Sequence, residues 1–380
     1  MVAYICNAGE IKTCSFYILI MDGSKRSSLI HILYSGLGGH ASVVFSLVEA
    51  DRETKFNHVL VFYGIEKVPD AYREKCLELG ADMVFVHKKP GFDKSSYEAV
   101  KKVICEVSPR AIFLHSVNLI IPVSQIARRR KIRLIAVEHQ PNHLKIWKEY
   151  IWSFLLMILA DKVVYLTELY ATQMKRILRV FFKRNRVSVI NNGINTHLFS
   201  PCQTHGNDIG MLARIMPTKD HKTLLAAWKL IEENMPGNLL IAGDGDWREK
   251  MENYAKELSL NKIVFTGMLD EDNSRKFLND LAVYVHASLG ETMSTSIMQA
   301  MASGKVIVAS NVPGINNMIQ SLENGILVPA ENAKALGDAI LKAWNDRSLR
   351  MHLASNARKT AEEKFSNRIM FERYIALVSK

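Results

Sequence analysis

The sequence predicts an α/β chain of two domains, each a parallel sheet with its crossover helices. Two observations carry this. Runs of strand length rich in β-branched residues recur along the chain, and several end in a glycine or polar turn that leads into residues at helical spacing. The length of 380 residues is too great for one ordinary domain and suits two.

The first unit is SSLIHILYSGLGGHASVVFSLVEA, Ser27 to Ala50: a strand, a glycine loop from Ser35 to Gly39, then an amphipathic helix. Gly36, Gly38 and Gly39 do not fit G-x-G-x-x-G, which argues against a dinucleotide cofactor. Two later candidate strands, AIFLHS and LIAVEHQ, end in His115 and His139. VINNGINTHLF (Val189 to Phe199) carries an Asn-Gly turn. IGMLARIMPTKDHKTLLAAW (Ile209 to Trp228) then runs from a strand through a basic loop, with Arg214 and Lys219, into a helix that aligns Leu224, Leu225 and Trp228. LLIAGDGDWREKM brings a Gly-x-Gly strand end at Gly243, and VFTGMLDED another strand end before Met268.

Residues 288–319 are the most informative stretch. The run LAVYVHAS (Leu281 to Ser288) reads as a strand, Leu289-Gly290 breaks it, and Thr292 to Met301 takes up helical spacing. A second strand, KVIVAS, ends at the turn NVPGIN, as in a parallel sheet with a crossover helix. The N–H groups of Met293, Ser294 and Thr295 then open the helix toward an anion such as a diphosphate. Glu291 beside them suits the neutral hydroxyls of the same ligand, hence a phosphorylated sugar. Gln299, eight residues on, lies roughly 12 Å along the helix at about 1.5 Å per residue, comparable to the hexose–ribose separation of a nucleotide sugar.

Taken in this order, the stretches resemble glycosyltransferase family four, the retaining transferases of the GT-B fold, over about residues 27–378. The resemblance implies two Rossmann-like βαβ domains facing across a cleft, with a C-terminal helix crossing back to the first. The implied divisions are an extension or misassigned start at 1–26, an acceptor-binding domain at 27–200, a nucleotide-sugar domain at 201–360 and the crossover helix at 361–380. It places Arg214 and Lys219 on the donor diphosphate, Glu291 with Thr292, Met293, Ser294 and Thr295 on the sugar, and Gln299 on the ribose. His139 stands by the transferred carbon with His115 as its neighbour, Gly38 and Gly39 let backbone approach donor and acceptor, and Gly243 and Met268 lie by the nucleotide. The family pattern usually has glutamate at the Gln299 position and often an acid at Asn317.

Charge divides the chain. Residues 1–200 hold 28 Lys and Arg against 17 Asp and Glu, residues 201–380 hold 21 against 21, so the net +11 lies in the first half. Arg128–Arg133 and Lys175–Arg186 concentrate it, the latter interleaved with Ile177, Leu178, Val180, Phe181 and Phe182, a composition suited to anionic lipid headgroups. With no stacking platform or reader motif, nucleic acid is not the expected partner. The apolar run Tyr150 to Ala160 is about half of the roughly 20 residues that span a bilayer, so it reads as a buried or interfacial helix. The first 25 residues lack the order of a signal peptide, which raises Met21 as an alternative start. Five scattered cysteines argue against disulfides and a zinc site, and for a reducing cytoplasm.

The function expected is metal-independent, retaining transfer of a hexose or N-acetylhexosamine from a nucleoside diphosphate, with uridine favoured, and no resident cofactor. The acceptor is a saccharide, lipid-linked on the cytoplasmic face of a membrane, in surface polysaccharide or glycoconjugate synthesis. Gln299 and Asn317 motivate an alternative, a catalytically weak GT-B partner subunit that binds or recruits an active transferase.

Overall fold

The computed structural model describes residues 3–4, 16–20 and 26–378, apart from 37, 38, 52, 54, 141, 143, 144 and 203–205. Gly38, Met1 and Met21 lie outside the described residues. The chain divides into two compact units, the first taking in the chain up to Asn192 together with the segment from Asn367, the second Gly193–Ser366.

Among the described residues the first unit is built on nine strands: β1 (Ala3–Tyr4), β2 (Phe16–Ile20), β3 (Ser28–Tyr34), β4 (Asn57–Gly64), β5 (Asp82–His87), β6 (Ala111–Leu114), β7 (Arg133–Glu138), β8 (Lys162–Tyr165) and β9 (Val187–Val189). Their order is β1-β2-β5-β4-β3-β6-β7-β8-β9, parallel from β5 to β9 and antiparallel at the β1-β2-β5 edge. Helices α1 (Gly39–Glu49), α2 (Asp70–Glu78), α3 (Lys94–Val107), α4 (Ile120–Arg130), α5 (Trp147–Leu159) and α6 (Glu168–Leu178) connect the strands. Sequence sets their ends: Asp93 accepts from the Ser95 and Ser96 amides at the start of α3, and Thr167 accepts from Tyr170 at the start of α6. The apolar run at 150–160 is α5, with Ser153, Leu156 and Met157 buried and Trp147, Ile151 and Ile158 exposed.

Among the described residues the second unit has six parallel strands, β10 (Asp208–Leu212), β11 (Leu239–Ala242), β12 (Ile263–Gly267), β13 (Leu281–His286), β14 (Val306–Ser310) and β15 (Ile326–Val328), in the order β12-β11-β10-β13-β14-β15. The helices are α7 (His221–Ile231), α8 (Arg248–Glu257), α9 (Glu271–Asp280), α10 (Thr295–Ala302), α11 (Ala333–Asn345) and α12 (Arg347–Lys364). Leu224, Leu225 and Trp228 on α7 are fully buried, and the Trp228 indole donates to the Lys262 carbonyl at 2.9 Å. Burying such a side chain stabilises by about 1.5–3 kcal/mol.

The last helix, α13 (Asn367–Val378), belongs to the first unit. Asn367 donates to the Ser46 carbonyl at 3.1 Å, and Tyr374 meets Phe113 edge-on at 5.6 Å between centroids. The two compact units divide at 192/193 and 366/367. Residues 193–200 join the second unit because Ile194 N–H donates to the Phe365 carbonyl at 2.8 Å and the Arg358 guanidinium reaches the carbonyls of Thr196 and Phe199 at 2.8 and 3.3 Å.

Candidate active site

In the second unit, the loops that follow three neighbouring strands are tied together. β13 lies between β10 and β14. After β13, Ser288 Oγ and the Leu289 amide both donate to the Thr218 carbonyl, at 3.0 and 2.9 Å, so the loop from β10 is held against this one. On the other side the Glu291 amide donates to the Pro313 carbonyl at 3.2 Å. Gly314 follows at φ +92°, where a Cβ would collide with the Glu291 carbonyl, so that turn needs glycine.

These ties bring Lys219 and Glu291 together. The Lys219 ammonium donates to Glu291 Oε1, with the two side chains only 18% and 11% exposed. His286 Nε2 lies 2.9 Å from the same oxygen, and Tyr284 Oη lies 3.0 Å from His286 Nδ1. Tyr284 and His286 are two apart on β13 and so share a face. Burial lowers the His286 pKa, so its imidazole is neutral, and an ionised carboxylate can only accept. The proton therefore sits on Nε2, pointing at Glu291, and Nδ1 accepts from the Tyr284 hydroxyl. Burial also drives the Tyr284 phenol pKa up, which keeps that proton in place. For Glu291 burial pushes the other way, but the His286 hydrogen bond and the Lys219 charge outweigh it and bring the carboxyl down to about 2.

Around this pair the other expected residues take their places. Arg214, in the loop after β10, is exposed and makes no side-chain hydrogen bond or ion pair among the described residues. Gly243 follows β11 at φ +137°, where a Cβ would strike the Ala213 carbonyl one residue before Arg214. Met268, just past β12, is 70% exposed. Helix α10 begins at Thr295, not Thr292, because Ser294 takes the capping position and accepts from the Ile297 amide at 3.4 Å. Thr292 and Met293 are thus irregular backbone, and the open helical amides are those of Thr295 and Ser296. Only the steps from Thr295 to Gln299 are helical, so a rise of about 1.5 Å per residue applies to that half of the interval alone.

Three residues here were not singled out from the sequence: Tyr284, His286 and Ser288. A histidine two residues after a tyrosine, closing a strand five residues before the key glutamate, is the signal that would have found them.

In the first unit, Gly39 opens α1, and His115 and His139 follow β6 and β7. His115 Nδ1 and His139 Nε2 are 2.8 Å apart, and the His40 ring lies 5.4 Å from that of His139. His115 also stacks on His31 at 6.0 Å, His31 Nε2 lies 3.1 Å from His58 Nδ1, and His58 Nε2 lies 3.2 Å from Asp51 Oδ2. Burial lowers the pKa of His31, His40, His115 and His139 alike, His31 being also opposed by His58. Glu138 does not orient the His139 ring: its carboxylate accepts from Ser153 at 2.7 Å and pairs with Lys145 at 3.2 Å.

Comparison with known proteins covers both units. Residues 37–198 match the family model described as Glycosyltransferase Family 4, and residues 200–360 match that described as Glycosyl transferases group 1. An uncharacterised glycosyltransferase of Methanocaldococcus jannaschii is 29% identical over 198 residues, 48% of this chain and 51% of that one. The UDP-Gal:alpha-D-GlcNAc-diphosphoundecaprenol alpha-1,3-galactosyltransferase of Escherichia coli is 25% identical over 224 residues, 54% of each chain. The matches span about half to two thirds of the length of the first curated relatives. Anabaena HepE, solved in complex with UDP and glucose, superposes with a TM-score of 0.80 at 16% identity, over 93% of this chain and all of that one. With its two halves matching the two models in order and its two parallel-sheet units sharing the GT-B fold, the chain belongs to the family-four glycosyltransferases of group 1.

Proposed function

We propose that the protein transfers a hexose or N-acetylhexosamine from a UDP-linked donor to a saccharide acceptor with retention of configuration. The observation that carries this is the meeting of Lys219 and Glu291 beside the opening of α10, with His286 and Tyr284 fixing the carboxylate from below. In this reading the donor diphosphate draws Lys219 away from Glu291 and also engages Arg214 and the α10 amides. Negative charge that builds on the leaving diphosphate then meets fixed cations without reorganisation, and the two side chains supply this without a metal. Glu291, freed of Lys219, accepts from the sugar hydroxyls, while its bond from His286 keeps it ionised and aimed. Gln299 accepts one ribose hydroxyl. His139 lies by the transferred carbon, and the leaving phosphate takes the acceptor's proton.

The uridine reading draws on relatives whose names or bound ligands carry UDP. A lipid-linked acceptor on the cytoplasmic face of a membrane draws on the E. coli relative's diphosphoundecaprenol substrate and on this chain's own surface. Trp147, Ile151 and Ile158 of α5 and Ile177, Val180 and Phe181 near the end of α6 are exposed, beside Lys175, Arg179, Lys183 and Arg184. Phe154 and Phe181 stack edge-on at 5.0 Å, which joins the two stretches into one patch. Among the described residues no helix is long and apolar enough to cross a membrane. The test is calorimetric titration with UDP, GDP and ADP, repeated on Arg214→Ala. UDP binding that vanishes in the variant is the expected result; a folded protein that binds none of the three removes the reading.

A further inference from the structure

At the opposite edge of the first sheet from His115 and His139, where β6 and β7 begin, there is a cavity of about 380 Å³. Four cations line it: Arg110, Arg128, Lys131 and Arg133. Arg110 immediately precedes β6 and Arg133 opens β7, two neighbouring strands in register at Ala111 and Arg133. Arg128 lies in the last turn of α4, and Lys131 closes that helix in the left-handed conformation, φ 57°. The acid in the lining is Asp161, and its Oδ2 already accepts from the Leu134 amide at 2.8 Å.

Among the described residues none of the four cations forms an ion pair. Arg133 Nε is buried without a hydrogen-bond partner, an arrangement that costs free energy unless something fills it. Complementing the C-terminal dipole of α4 accounts for Arg128 and Lys131. It does not account for Arg110 and Arg133, which sit on strand entries and add like charge to the same space. We infer that this cavity is an anion site that takes a phosphate-bearing group, a diphosphate or phosphomonoester, through Arg133, Arg110, Arg128 and Lys131. Four cations against one carboxylate match an anion of about three charges, and guanidinium forks meet phosphate oxygens in pairs. At ~30 Å³ per water, the cavity displaces about a dozen waters, enough for such a group and too little for a nucleic-acid strand. Strand β7 spans six residues, so the site lies roughly 20 Å from the His139 end at about 3.3 Å per residue. It is therefore separate from His115 and His139.

The test uses the full chain carrying Lys219→Ala, which removes a competing phosphate contact in the second unit. Pyrophosphate is titrated calorimetrically at constant ionic strength, then again with Arg133→Gln or Arg128→Gln added; Arg128 is exposed, so at least that variant keeps its fold. The expected result is one site whose affinity falls at least about tenfold in each variant, the loss of one charge-assisted contact, with the far-UV spectrum unchanged. A second arm sediments the same proteins with vesicles of phosphatidylglycerol or of phosphatidylcholine. Retention by phosphatidylglycerol that the variants lose and pyrophosphate competes away assigns the site to a lipid headgroup. Pyrophosphate binding without such retention assigns it to a free anion. Pyrophosphate affinity that both variants leave unchanged, or the absence of binding in both arms, overturns the inference.

Discussion

Glu291→Gln keeps the shape of the side chain and removes only its charge, so it isolates what the carboxylate does. In the native chain the carboxyl is brought down to about 2 from an ordinary 4.5, and its side chain is only 11% exposed, so the shift carries over to stability with little screening. A folded-state pKa below the unfolded one stabilises above pH 4.5, and that stabilisation is lost as the pH falls toward 2. Two to three pKa units correspond to about 3 kcal/mol at pH 7, shrinking to about 2 kcal/mol by pH 3.5. The glutamine Oε1 can still accept from both the Lys219 ammonium and His286 Nε2–H, which share that one oxygen in the native chain, so the loss reports the charge. Urea unfolding followed by tryptophan fluorescence reads this, since Trp228, Trp247 and Trp344 all lie in the second unit. The expected loss is about 3 kcal/mol at pH 7, with a smaller gap between variant and native protein at pH 3.5. A loss under about 1 kcal/mol at pH 7, the range of exposed ion pairs, would show that the carboxylate is neither buried nor paired as described.

Lys219→Ala should lower sugar transfer by at least about a hundredfold, the scale of losing one preorganised charge contact; near-normal turnover in a transfer assay would remove Lys219 from the mechanism. Gln299→Glu should tighten UDP binding, as a carboxylate makes charge-assisted bonds to ribose hydroxyls. If calorimetry shows that gain while turnover stays negligible, the partner-subunit alternative is favoured over an active transferase. Acidification should destabilise the protein starting near pH 6.5. His31, His221 and His286 are buried with lowered pKa values, that of His221 about 4, so the unfolded chain binds protons that the folded chain refuses. Each adds a limiting slope of about 1.4 kcal/mol per pH unit between its folded pKa and 6.5. A melting temperature that is flat from pH 7 to pH 5.5 would contradict this.

What could be read from the chain followed from how loudly each feature is written. The strand, turn and helix of residues 281–302 are bounded by Leu289-Gly290 and Gly304, and both breakers survive folding as loops. Lys219 and Glu291 were found because each follows a strand end at a recognisable spacing. Tyr284 and His286 were not, because strands buried on both faces read as unbroken apolar runs with no alternation to mark the side chains that face a site. The start of α10 was placed three residues early because capping competes among Thr292, Ser294 and Thr295, and only the backbone decides that Ser294 wins. The cavity at Arg133 was legible only as a basic cluster, since Arg110 stands far from it in sequence and arrives through the pairing of β6 with β7.

The row of histidines in the first unit has a further consequence, for where hydrogen resides. Asp51 is held ionised against its burial by His58 and by the amides of Lys55 and Phe56. A carboxylate cannot donate, so His58 places a hydrogen on Nε2; whenever that ring carries only this one, the lone pair left on Nδ1 makes His31 place its own on Nε2. One acid thus dictates the tautomer of two successive rings, the second of which it does not touch. Asparagine in its place, able both to give and to accept, would leave the row with two hydrogen orders in place of one, and nitrogen chemical shifts at His31 would report both.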